Sequence, residues 1–173
     1  MSLPKWFTYE RIISVDVESF GLHGEPFAVG WVACDKNFDC VEEGILVRSR
    51  WIEDASFIEP DDAKWLRENI PPMRGDCETK QDLLKKFDER TKSLRAFPHV
   101  FIADCPVPVE ARFFARMGWA PYPLLDVASM YAGRGFDPLE TRLRGADEYP
   151  LHNPLCDARQ TMRQFKELMD LFR

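Results

Sequence analysis

Ile12-Ile13-Ser14-Val15-Asp16-Val17-Glu18-Ser19-Phe20-Gly21 is the stretch on which the rest of the chain turns. Its apolar opening predicts a buried strand over about Arg11–Asp16, and the glycine at its end predicts a loop. Asp16 and Glu18 stand two residues apart, so strand alternation puts both carboxylates on one face. At the usual rise their Cα atoms are roughly 6.5–7 Å apart. That is close enough for both to reach one hydrated divalent ion, a hard cation that prefers oxygen ligands and keeps several waters. A strand whose polar end simply reaches solvent would read the same way, so residues further along must decide.

Outward from this strand, Ser19–Pro26 is rich in turn formers. Phe27–Cys34 predicts a second strand, and Cys40–Ser49 a third after the polar Asp35-Lys36-Asn37 turn. Such short connections predict an antiparallel meander. Pro60 with Asp61 and Asp62 opens a short helix to Asn69, and Thr79 caps a longer one over Lys80–Arg95. His99–Ala103 is a short apolar strand, Val107–Met117 a helix stopped at Gly118, and Leu124-Leu125 a brief fifth strand. Asp126 caps a short helix to about Tyr131, and Gly133–Tyr149 is loop with one helical turn at most. In the last helix Asn153 caps and Pro154 sits in the first turn, with Ala158, Met162, Phe165, Met169 and Phe172 as a core-facing stripe. The whole reads as one α/β domain over residues 1–173, a mixed five-stranded sheet flanked by helices.

Composition narrows the function. Apolar residues make up 45% and charged residues 30%, which suits a folded globular chain. No apolar run is long enough to span a bilayer, and no signal-peptide pattern opens the sequence. The five scattered cysteines form no Cys-x-x-Cys pair, so a reducing, cytoplasmic setting is expected rather than a disulfide framework. A net charge of −6 argues against holding long nucleic acid by its backbone. Trp51, Trp65 and Trp119 suit either the core or an interface.

Three further places carry candidate chemistry. His152-Asn153-Pro154-Leu155-Cys156-Asp157 puts a histidine before the last helix and a carboxylate in its first turn. His152 and Cys156 lack a second such pair, so zinc is not expected. Asp104 ends the fourth strand, where charge often faces a ligand crevice. Glu110 lies one turn into the following helix, a position that dipole compensation alone would also explain.

In order, these residues resemble the DEDDh 3′–5′ exonucleases of the ribonuclease H-like superfamily, from about Arg11 to Phe172. The matching features are Asp16-x-Glu18 after strand one, an acid after strand four, and His152-x-x-x-x-Asp157 opening the last helix. His152-Asn153-Pro154-Leu155-Cys156-Asp157-Ala158-Arg159 is especially similar to the third motif. Ser19-Phe20 replaces the family's usual threonine pair. In the middle motif, Asp104 has the usual residue type, whereas Glu110 with Phe113 copies the usual register. Asp104 is narrowly preferred and Glu110 competes.

The resemblance implies a ribonuclease H-like fold and stepwise release of 5′-mononucleotides from 3′ ends of short single strands, RNA placed slightly ahead of DNA. It implies two divalent ions, Mg²⁺ or Mn²⁺, held by Asp16, Glu18, Asp157 and the middle acid, with His152 as general base. Ser19, Phe20, Gly21 and Leu22 would line the terminal nucleotide. Many family members are homodimers, so a second copy of the chain is a candidate partner. Another ribonuclease H-like phosphodiesterase or endonuclease would use the same carboxylates. A non-catalytic nucleic-acid- or protein-binding domain could share the fold.

Overall fold

The computed structural model describes residues 7–55, 58–138 and 144–171. Three antiparallel neighbours, β1 (Arg11–Ser19), β2 (Pro26–Asp35) and β3 (Cys40–Val47), form the expected meander. β4 (His99–Ala103) pairs parallel to β1, and β5 (Leu124–Asp126) parallel to β4, giving the order β3-β2-β1-β4-β5. The central strand is therefore the one that carries Asp16 and Glu18.

Alternation along β1 divides the core into two layers. Ile13, Val15 and Val17 face α3 (Lys80–Thr91) and α4 (Val109–Arg116), packing with Leu83, Phe87, Phe113 and Phe114. Ile12 faces the opposite side with Val32, Val100 and Ile102, against Ala158, Met162, Phe165 and Met169 of α6 (Pro154–Leu171). Asp16 and Glu18 share Ile12's parity, so both point to the α6 side. The stripe on α6 is core, as expected; Phe172 lies outside the described residues. A third cluster packs α2 (Pro60–Asn69) and the short α1 (Trp51–Asp54) over Phe27 and Val47.

Several boundaries differ from expectation. β1 runs on to Ser19 because β2 keeps pairing with it as far as Pro26, through an irregularity at Glu18/Ser19. β3 stops at Val47, and α1 follows where no helix was expected, its Trp51 stacked on Phe27 at 4.8 Å. α3 ends at Thr91, and a separate 3₁₀ turn takes Leu94–Ala96. α4 starts only at Val109, since Pro106 and Pro108 supply no N–H to an earlier turn. α5 (Val127–Ala132) is capped by Asp126, which accepts from Ser129 N at 2.9 Å.

Candidate active site

The start of α6 is brought to the sheet by a glycine. Gly30 of β2 is the register partner of Asp16. A Cβ at Gly30 would lie 2.2 Å from Pro154 C and 2.3 Å from Leu155 N, closer than any side chain can sit. The missing side chain lets the first turn of α6 rest on the strand beside Asp16, and Asn153 Oδ1 caps that turn from Leu155 N at 3.1 Å. Asp157 therefore faces the same space as Glu18. Ligand atoms of Glu18, His152 and Asp157 all lie within 4.8 Å of one another.

His152 sits at φ +57°, a left-handed conformation that costs a non-glycine residue about 1–3 kcal/mol. Its Nδ1 faces Glu18 Oε1 at 3.7 Å, an ion-pair distance when the imidazole is protonated, and its ring packs T-shaped against Trp65 with centroids 5.1 Å apart. Cys156 Sγ turns away to Tyr149 O at 3.0 Å, so it does not join His152 as a soft ligand.

The two middle-motif candidates are placed very differently. Pairing of β1 with β4 stops at Ser14↔Ile102, and beyond it Val17 N–H donates to Glu110 Oε1 at 3.1 Å. Glu110 is only 5% exposed. Asp104 lies just past the end of β4 and is exposed, though near enough for its charge to act on Asp16 and Glu110.

Crowded acids in a dry place hold their protons. Burial first, then the charges of Asp157, Glu18, Glu110 and Asp104, push the Asp16 carboxyl well above its usual range. Burial also raises Glu18 and Asp157, and it lifts Glu110 to about 7. The Glu18 carboxylate holds the His152 imidazole above its ordinary value. A site that strains so many carboxylates is short of positive charge, and oxygen-rich donors with one imidazole suit a divalent cation.

A cleft of about 300 Å³ opens beside this cluster, walled by Glu18, Ser19, Gly21, Leu22, Trp65 and Val109, among others. Phe20 turns away from it to pack on Phe27 at 5.0 Å, under the guanidinium of Arg48. Of the tryptophans that suit either core or interface in sequence, Trp51 is buried, Trp119 is partly buried beneath Arg95, and Trp65 is 47% exposed at the cleft. Spacing along the chain gave no sign of Trp65, Val109 or Asp62 as cleft residues, nor of Arg144, whose Nη1 lies 2.5 Å from Asp157 Oδ1.

The sheet order, with its antiparallel meander, parallel β4 and β5 and flanking helices, defines a ribonuclease H-like α/β fold. Solved structures of exonuclease I share it. E. coli exonuclease I in complex with a dA16 oligonucleotide superposes with a TM-score of 0.53 at 16% identity, covering 94% of this chain and 42% of that one. The zinc ion bound form of the E. coli ExoI–ssDNA complex gives 0.57 at 16% identity, covering 94% and 42%. An apo exonuclease I gives 0.56 at 17% identity, covering 95% and 44%. This chain thus spans less than half the length of those exonucleases. No protein-family model and no curated protein matches it.

Proposed function

We propose that this chain is a metal-dependent 3′–5′ exonuclease acting on single-stranded nucleic acid and releasing 5′-mononucleotides. The observation that carries the reading is the meeting of Asp16, Glu18, Glu110, His152 and Asp157, from three separate parts of the chain, beside one cleft. The oligonucleotides held by E. coli exonuclease I support the substrate class. Those are dA16 and dT13, so DNA stands at least level with the RNA slightly favoured from the sequence.

Asp16, Glu18 and Asp157 would hold two divalent ions, magnesium or manganese, with Glu110 preferred to Asp104 as the middle acid because it reaches the β1 backbone. When bound, such ions stabilise the attacking and leaving oxygens of an in-line displacement at phosphorus. With Nδ1 facing Glu18, His152 Nε2 is left to take the proton from the attacking water. Ser19, Gly21 and Leu22 would line the terminal nucleotide, whose base would lie against Trp65 and Leu22. Phe20 would support that loop from below rather than touch the base.

Asp16→Asn and Asp157→Asn should each lower metal-dependent hydrolysis about a hundredfold or more with an unchanged circular dichroism spectrum. His152→Ala should lower kcat roughly 10²–10⁴-fold. Near-native turnover in the two aspartate variants would remove the proposed site.

A further inference from the structure

Asp157 is already paired with a cation. Arg144 Nη1 lies 2.5 Å from Asp157 Oδ1, and the same nitrogen donates to Glu148 O at 2.9 Å. Both side chains are mostly out of solvent, Arg144 15% and Asp157 14% exposed. The turn that carries Arg144 is pinned to α6. Buried Glu148 accepts from Gly145 N at 2.8 Å and from Arg163 at 2.6 Å through Nε and 3.0 Å through Nη2. The guanidinium is therefore fixed in place, not waving in water. Among the described residues, the ion pairs made by Asp16, Glu18, Glu110 and Asp157 are Arg144–Asp157 and His152–Glu18.

We propose that Arg144 is a built-in cation that holds Asp157 where a divalent ion would claim it, so that Arg144 sets the metal affinity of the site. The inference rests on reading the carboxylate cluster as a metal centre. A guanidinium and a divalent ion sharing one carboxylate repel each other, and in a half-buried site solvent screens that repulsion poorly. Arginine suits the role because it stays charged at any relevant pH and the two N–H groups of its Nη1 hold Asp157 Oδ1 and Glu148 O together. In the metal-free fold it supplies positive charge to a cluster of acids that would otherwise face one another unpaired. An ion entering the site must displace the guanidinium or accept a carboxylate already shared.

The test is Mn²⁺ titration of the full chain by calorimetry, with melting of the same proteins in EDTA. Arg144→Met should bind Mn²⁺ more tightly by at least about tenfold, since the competing charge is gone. It should also melt lower than wild type in EDTA and gain more from added Mn²⁺. Equal or weaker Mn²⁺ binding by Arg144→Met would overturn the proposal, because Arg144 would then orient Asp157 instead of competing for it. Should Arg144→Met fail to fold, Arg144→Lys decides. An ammonium is more strongly hydrated and sits on a more flexible stem, so it leaves Asp157 more readily and binding several-fold tighter than wild type is expected, and unchanged or weaker binding overturns the inference. If neither wild type nor variant binds Mn²⁺, the metal-centre reading falls as well. If all bind equally, only the role of Arg144 falls.

Discussion

Glu110 reaches from α4 to the N–H of Val17, and that bond exists because β1 outruns β4 by several residues. Nothing in the spacing of Asp104 and Glu110 along the chain shows which acid will find β1; residue type favours one and register with Phe113 the other. The choice is made by where a neighbouring strand stops, a tertiary fact. We expect Glu110→Gln to cost roughly 10–100-fold in activity, the usual effect of disturbing a metal centre, and Asp104→Asn to cost much less. The reverse ranking in kcat/KM would return the middle role to Asp104. Glu110 also gives the metal-free protein a pH dependence of definite sign. Its folded value of about 7 stands above the ordinary 4.5, so the folded chain binds the extra proton between those values. Stability in EDTA should rise as pH falls through about 7 toward 5, by up to about 3 kcal/mol from this group. Asp16, Glu18, Asp157 and His152 are displaced in the same direction and add to the trend. Melting in EDTA across this range checks it, and Glu110→Gln should flatten the curve; a wild-type curve that falls toward pH 5 would contradict it.

Among the elements, α6 was the most legible. Its Asn153 cap, Pro154 and apolar stripe reappear in the structure nearly residue for residue, because helix signals are local. What brings it to the site was less visible. Gly30 reads in sequence as one small residue in an apolar strand, and only the packing shows α6 resting where its side chain would be. Gly30→Ala should push the first turn of α6 off β2, costing about 1–3 kcal/mol of stability and weakening Mn²⁺ binding through displacement of Asp157. Native melting and native metal affinity in that variant would mean the helix is placed by other contacts. α2 offers a second case. Its Trp65 suits core or interface in sequence, and the structure exposes it at the cleft beside His152. Trp65→Ala should raise KM for an oligonucleotide by the worth of one stacked base, about 1–3 kcal/mol, while a KM within twofold of wild type would remove it from the substrate's path.

At the scale of the molecule, the alternating apolar pattern and the short early connections make the five-stranded mixed sheet legible in the sequence, and the exonuclease I structures share that fold. The loop between α5 and α6 was not legible, since the ties of Glu148 to Arg163 and of Arg144 to Asp157 follow no period. The chain carries −6 overall, and its cleft of about 300 Å³ is at the small end for a ligand site. Both features suit the proposed capture of one nucleotide at a strand end better than the embrace of a duplex. No disulfide joins the described cysteines, and no helix among the described residues is long and apolar enough to cross a membrane.

The central claim is the reaction itself. It is tested most directly by following a 5′-labelled single-stranded oligonucleotide, as RNA and as DNA, with Mg²⁺, Mn²⁺ or EDTA. The expected result is a ladder shortening one nucleotide at a time from the 3′ end, with 5′-mononucleotide as the small product, only when metal is present. Internal cuts, or an intact strand in protein shown to have bound Mn²⁺, would contradict it.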